Sequence, residues 1–230
     1  MRKRRPLDRT LNPVRDADLI VIASEDEYAV KQYFAFFRSH RIQFIVLPTE
    51  DGRGAPTHVL PRLDEFRLKH GIEVGDVLGL VTDCDHWVGP NHIHNLRHVL
   101  QQCRQKGIEV ALSNPCFELW LLLHFAEFPT GASLTCGETD SLLRAGVKNL
   151  DRTKGYDKKK VYNLPITDES VAAAVKRAAE NYSADDLIPT RPQTAVHLII
   201  QSLLDRGIIA VRPHPDTADS GPKKTNRKKK

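Results

Sequence analysis

Between Asp18 and Phe128 the chain alternates four times between a short apolar run and a longer segment of helical character, without an internal sequence repeat. The runs are DLIVIAS (18–24), IQFIVLP (42–48), GDVLGLVTD (75–83) and IEVALS (108–113). Continuous apolar runs of this length suit strands buried on both faces, which is the environment inside a parallel sheet. The segments that follow them read as helices: 27–40, with apolar residues at helical spacing, 58–70, 91–107, and 114–128, which is apolar on nearly every side. Parallel neighbours need a crossover, and a helix is the usual one. The pattern therefore predicts an α/β chain with an open, largely parallel four-stranded sheet and helices on both faces. Local cues agree: Pro61 suits a first helical turn, Gly107 a helix end, and Asn114-Pro115 a cap followed by the first helical position.

After residue 128 the alternation stops. GASLTCGETD (131–140) reads as a loop, and most of the remaining chain reads as helix, including 168–182 and 192–207, with a short strand at 208–211. The chain thus divides into four regions: a basic N-terminal extension (1–17), the α/β domain (18–128), a mainly helical C-terminal region (129–214) and a basic tail expected to be disordered (215–230). No apolar run approaches the ~18–20 residues that span a bilayer, and the basic N-terminus has no apolar stretch of the secretory kind. Cys84, Cys103, Cys116 and Cys136 form no C-x-x-C pair. They read as reduced thiols, and the chain as cytoplasmic without a membrane partner. An oligomeric state is left open, homo-oligomers included.

The net charge of +5 is unevenly spread. Residues 1–16 hold six basic against two acidic residues, and 220–230 hold six basic and no acidic ones, so the body between is mildly acidic. Basic ends on an acidic body suit phosphate contacts to nucleic acid around a separate acidic centre; a solvated appendage is the plainer alternative.

In doubly wound sheets, ligands sit beyond the carboxyl ends of the strands. At those ends lie Glu25, Asp26 and Glu27 after the first strand, Asp83 and Asp85 after the third, and Glu118 after the fourth. Two aspartates one residue apart at a strand end repel each other and are costly to desolvate. An Asp-rich turn would explain them; so would a cation needing oxygen ligands. Acids gathered on one sheet edge favour the cation, of the Mg²⁺ or Mn²⁺ type. Glu25, Asp83 and Asp85 are the expected ligands, with Glu25 alternatively a general base, and Asp26 and Glu27 are substitutes for it. Glu118 either completes the site or ties its helix terminus. His86 is a proton donor or phosphate contact, or an exposed turn residue. Lys158, Lys159 and Lys160 either hold substrate phosphates or form a solvated face. His94 and His98 share a helix face but lack a third ligand, and Trp87 and Trp120 read as packing residues.

An acid after the first strand, D-x-D after the third and the β-α order resemble the Toprim domain of topoisomerases, primases and OLD-type nucleases. The chain is more closely similar to the RloB family of Toprim-like bacterial proteins. EDEYAVKQYF (25–34) resembles that family's opening motif, SNPCFELWLLLHF (113–125) its signature segment, and RPQTAVHLIIQSL (191–203) its late P-x-T-x-V-H motif. The likeness runs from about Leu19 to Leu204. Two positions depart: Asp26 stands where the family usually has Gly, and Val30 where it has a third acid. The resemblance implies a Mg²⁺- or Mn²⁺-dependent nuclease acting on DNA or tRNA, an effector of bacterial defence against phage. It also implies an ATPase partner, since this sequence holds no G-x-x-x-x-G-K-[ST] loop. The competing expectation is a non-catalytic nucleic-acid-binding or regulatory subunit on the same scaffold.

Overall fold

The computed structural model describes residues 17–49, 54–89, 92–129, 133–206 and 210–211. The basic extension and basic tail lie outside these residues. Four strands, β1 (Asp18–Ser24), β3 (Ile42–Leu47), β4 (Val77–Asp83) and β5 (Glu109–Asn114), form a parallel sheet in the order β3-β1-β4-β5. Side chains alternate across a strand, so β1 divides its apolar run between two cores. Ile20 and Ile22 face one side, and Leu19, Val21 and Ala23 the other. The second side is covered by α2 (Pro56–His70) and α3 (Ile93–Lys106), through Val59, Leu63, Val99 and Cys103. The first is covered by α1 (Ala29–Phe34), α4 (Glu118–Leu122), α5 (Cys136–Leu150), α6 (Asp168–Glu180) and α7 (Val196–Asp205). Among the described residues no helix is long and apolar enough to cross a membrane.

The sheet has five strands rather than the expected four. The fifth, β6 (Gln193–Thr194), pairs antiparallel with the end of β5 and opens the segment expected to be helical from 192. Two residues are too few to show alternation, and α7 begins only at Val196. The expected helix 27–40 is also shorter. After α1 the chain enters β2 (Phe37–Arg38), which pairs with β7 (Ala210–Val211). Helix α2 starts at Pro56, which places Pro61 inside it rather than in its first turn.

Asn114 does not cap a helix. Its backbone continues β5 opposite Gln193, a cis peptide joins it to Pro115, and α4 begins at Glu118. The Asn114 side chain donates to the carbonyls of Pro189 (2.9 Å) and Arg191 (3.1 Å). Beside it Ser113 Oγ and Thr194 Oγ1 are hydrogen-bonded at 2.9 Å. The late P-x-T motif is thus a brace on the end of β5. Losing both donors should leave two carbonyls unmatched at a cost of about 1–2 kcal/mol. Asn114→Ala is accordingly expected to lower the urea midpoint without changing the m-value, and an unchanged midpoint would refute the brace.

In the segment expected as a loop, 131–140, helix α5 begins at Cys136. Thr135 accepts from the Glu138 N–H, and the Glu138 carboxylate accepts from the Thr135 N–H at 2.8 Å. This is a reciprocal capping box, and T-x-x-E was visible in the sequence.

Candidate active site

The carboxyl ends of β1 and β4 are adjacent because these strands pair, and β5 follows. Asp83 is the last residue of β4, opposite Ser113 of β5. The next two N–H groups are tied to the β5–α4 connection. Cys84 donates to Ser113 O (2.8 Å) and Pro115 O (3.1 Å), and Asp85 to Pro115 O (3.2 Å). The chain then turns back through Trp87 and Val88 N–H bonds to Cys84 O. The D-C-D stretch therefore runs from the last residue of β4 into a turn, and it holds two carboxylates at the sheet edge.

Glu25 bridges the two strand ends. One carboxylate oxygen accepts from the Asp83 N–H at 2.5 Å and the other from the Trp87 indole at 2.6 Å. Burial pushes the Glu25 carboxyl up to about 7, against the lowering effect of these hydrogen bonds. Asp83 is also held well above the usual range, first by burial and then by the charges of Glu25 and Glu118. No donor among the described residues hydrogen-bonds its carboxylate. Asp85 accepts from its neighbour's His86 N–H (2.7 Å) and from the Cys136 thiol (3.0 Å).

Asp26 takes part through one oxygen and structure through the other. Its Oδ1 accepts from the N–H groups of Tyr28 (2.7 Å), Ala29 and Val30 (3.4 Å), and so fastens the start of α1. Its Oδ2 pairs with Lys158 at 3.2 Å. The same amine reaches Glu118 Oε1 at 3.4 Å, and the Tyr156 hydroxyl donates to that oxygen at 3.0 Å. Burial works against the Lys158 ammonium, but Glu118 and Asp26 outweigh it and hold the amine above its ordinary range. Glu118 is buried at the start of α4 and faces this cluster.

Glu25, Asp26, Asp83, Asp85, Glu118 and Lys158 therefore share one neighbourhood. Glu27 is exposed. His86 is mostly exposed, with its Nε2 3.4 Å from Asp85. Lys159 lies over the Tyr28 ring at 5.4 Å, and Lys160 is exposed. Trp120 is fully buried, as a packing residue should be, whereas Trp87 also serves as the donor to Glu25. The sequence gives Tyr156 no role and marks Cys136 only as a reduced thiol. They reach Glu118 and Asp85 across 38 and 51 residues of chain, a separation no local spacing reports.

The donors are all oxygen and mostly anionic, which is the chemistry of Mg²⁺ and Mn²⁺ sites. Among the described residues, however, no three His, Cys, Asp or Glu stand ready to hold an ion. The oxygens of Glu25, Asp85 and Glu118 are instead engaged by Trp87, Cys136, Tyr156 and Lys158. The Asp83 carboxylate, half-buried and without a hydrogen-bond donor among the described residues, fits a cation best.

A family model described as RloB-like protein matches residues 20–203. No curated protein and no solved structure matches the chain.

Proposed function

The chain belongs to the RloB-like protein family, and on that premise we propose that it is a metal-dependent nuclease with a Toprim-like domain. In this reading it hydrolyses phosphodiester bonds of DNA or tRNA at the carboxylates of β1, β4 and α4. The observation that carries the reading is the Asp83 carboxyl, half-buried beside Glu25 and Glu118, with Lys158 as the nearby cation and no hydrogen-bond donor among the described residues. Such a group is costly to ionise unless a further positive charge joins it. Asp83, Glu25 and Asp85 would hold Mg²⁺ or Mn²⁺, with Glu118 beside them. A bound ion of this kind stabilises charge at phosphorus and lowers the pKa of water. Glu25, whose carboxyl burial raises to about 7, is the alternative base if it does not hold the ion. Lys158, whose side chain is 54% exposed, can turn from Asp26 and Glu118 toward a substrate phosphate. We also read the chain as an effector of phage defence that works with an ATPase partner.

The second reading, a non-catalytic nucleic-acid-binding or regulatory subunit, draws support from those internal hydrogen bonds and the absence of a ready ion site among the described residues. Incubation with tRNA, single-stranded DNA and duplex DNA, with Mn²⁺ or with EDTA, separates the two. The nuclease reading expects cleavage of at least one substrate in Mn²⁺ and none in EDTA. Intact substrates in every lane, together with no heat of Mn²⁺ binding by calorimetry, would favour the regulatory subunit.

A further inference from the structure

Helix α3 differs in charge from the other long helices. Each of α2, α5, α6 and α7 carries at least one Asp or Glu, whereas α3 carries none. The acid-free run extends from His86 to Ile108, inside a body that is otherwise mildly acidic. Leu96, Val99, Leu100 and Cys103 bury one face of α3, and the opposite face exposes His94, Arg97, His98, Gln101 and Arg104. Residues at i, i+3, i+4, i+7 and i+10 lie along one stripe, and ten residues of helix extend about 15 Å. The charge of Lys106 is met by Asp64 of α2 at 2.5 Å. Arg97 and Arg104 have no acidic partner among the described residues.

The stripe also leads away from the carboxylates. Trp87, whose indole holds Glu25, meets the ring of His92 edge-on at 5.6 Å, and α3 begins at the next residue. The face shows no exposed large apolar side chain, so it lacks what a membrane surface or an apolar protein groove would bury. Uncompensated guanidinium groups among imidazoles and an amide fit phosphates and polar edges of a nucleic acid. We propose that the outer face of α3 is the track along which a nucleic-acid backbone approaches the carboxylates, with Arg97 and Arg104 gripping phosphates. The track rests on the nuclease reading for its destination, though not for binding itself.

The test uses the full chain and a fluorescently labelled 30-nucleotide RNA, the DNA of the same sequence and its duplex, in EDTA, by anisotropy from low to moderate salt. Arg97→Ala/Arg104→Ala is expected to bind about tenfold more weakly. The slope of log affinity against log salt should shrink by roughly 1.4 to 1.8, at about 0.7 to 0.9 per lost phosphate contact. Arg97→Lys/Arg104→Lys should keep most of the slope. Arg67→Ala/Lys69→Ala, which removes the same charge from α2, should change affinity less than twofold. Circular dichroism checks that every variant folds.

The track is overturned if Arg97→Ala/Arg104→Ala keeps the wild-type affinity and slope, or if the α2 variant loses as much. It is equally overturned if wild type binds none of the probes, or if the α3 variant loses binding only to phosphatidylserine vesicles. Failure of the nuclease reading looks different: the probes bind in an α3-dependent way, yet none is cleaved in Mn²⁺. Cleavage in Mn²⁺ with α3-independent binding leaves the nuclease reading standing and removes the track.

Discussion

Asp83→Asn is expected to abolish measurable phosphodiester cleavage while leaving the protein folded. The substitution keeps the volume and removes the charge of a half-buried carboxylate that has no hydrogen-bond donor among the described residues. Metal-assisted hydrolysis supplies several kcal/mol of transition-state stabilisation, and about 1.4 kcal/mol is tenfold in rate. A fall of three or more orders of magnitude is therefore anticipated. Stability should hold or rise, because Asp83 is crowded by Glu25 and Glu118 and a neutral amide relieves that repulsion. The measurement is cleavage by wild type and variant at equal concentration in Mn²⁺, with any ATPase partner added, beside a thermal melt of each. Equal cleavage by a well-folded variant would reduce D-C-D to a turn and nothing more.

The second large effect is on acid stability and centres on His124. This ring is buried in the core, with Nδ1 3.0 Å from Trp120 O and Nε2 3.3 Å from the Tyr33 hydroxyl. Burial lowers its pKa from 6.5 to about 4, with the charge of Arg177 acting in the same direction. Below pH 6.5 the unfolded chain protonates this histidine while the folded chain does not. The unfolded state then binds more protons, so stability falls as pH drops from about 6.5 towards 4 and levels off below that. A shift of this size corresponds to roughly 3 kcal/mol at about 1.4 kcal/mol per pH unit. Glu25 and Asp83, with raised pKa values, act in the opposite direction, so the useful quantity is a difference. Urea unfolding of wild type and His124→Gln at pH 7 and pH 4.5 should show the variant losing about 2–3 kcal/mol less over that interval. Parallel losses would show that His124 carries no such linkage.

The parallel part of the sheet was legible because its central strands β1 and β4 are buried on both faces and show as apolar runs, with β3 and the middle of β5 following the same pattern at the sides. The features that escaped were decided at a distance. Asn114-Pro115 has the composition of a helix start, yet β6 and the carbonyls of Pro189 and Arg191 hold Asn114 in a strand. The capping box at Thr135 and Glu138 was present in the letters but obscured by Gly137 and the polar residues around it. The site divides in the same way. Strand ends located the acids, since topology alone brings those ends together. Their donors, Trp87, Tyr156 and Cys136, are set by side-chain packing between elements. The lysine triplet shows why composition overreaches: three neighbours share a charge, but the turn they occupy sends only Lys158 to the acids.

The hydrogen bond from Trp87 to Glu25 gives the molecule an optical reporter of its own. The sequence holds two tryptophans. Trp120 is sealed in the core, where its emission serves as an internal standard. Trp87 is partly buried, with its indole N–H on a carboxylate of the candidate site. Whatever draws Glu25 away from that indole alters the surroundings of one fluorophore and leaves the other untouched. Rearrangement at the acids can therefore be followed in unlabelled protein, in real time and apart from turnover, with Trp87→Phe as the spectral blank.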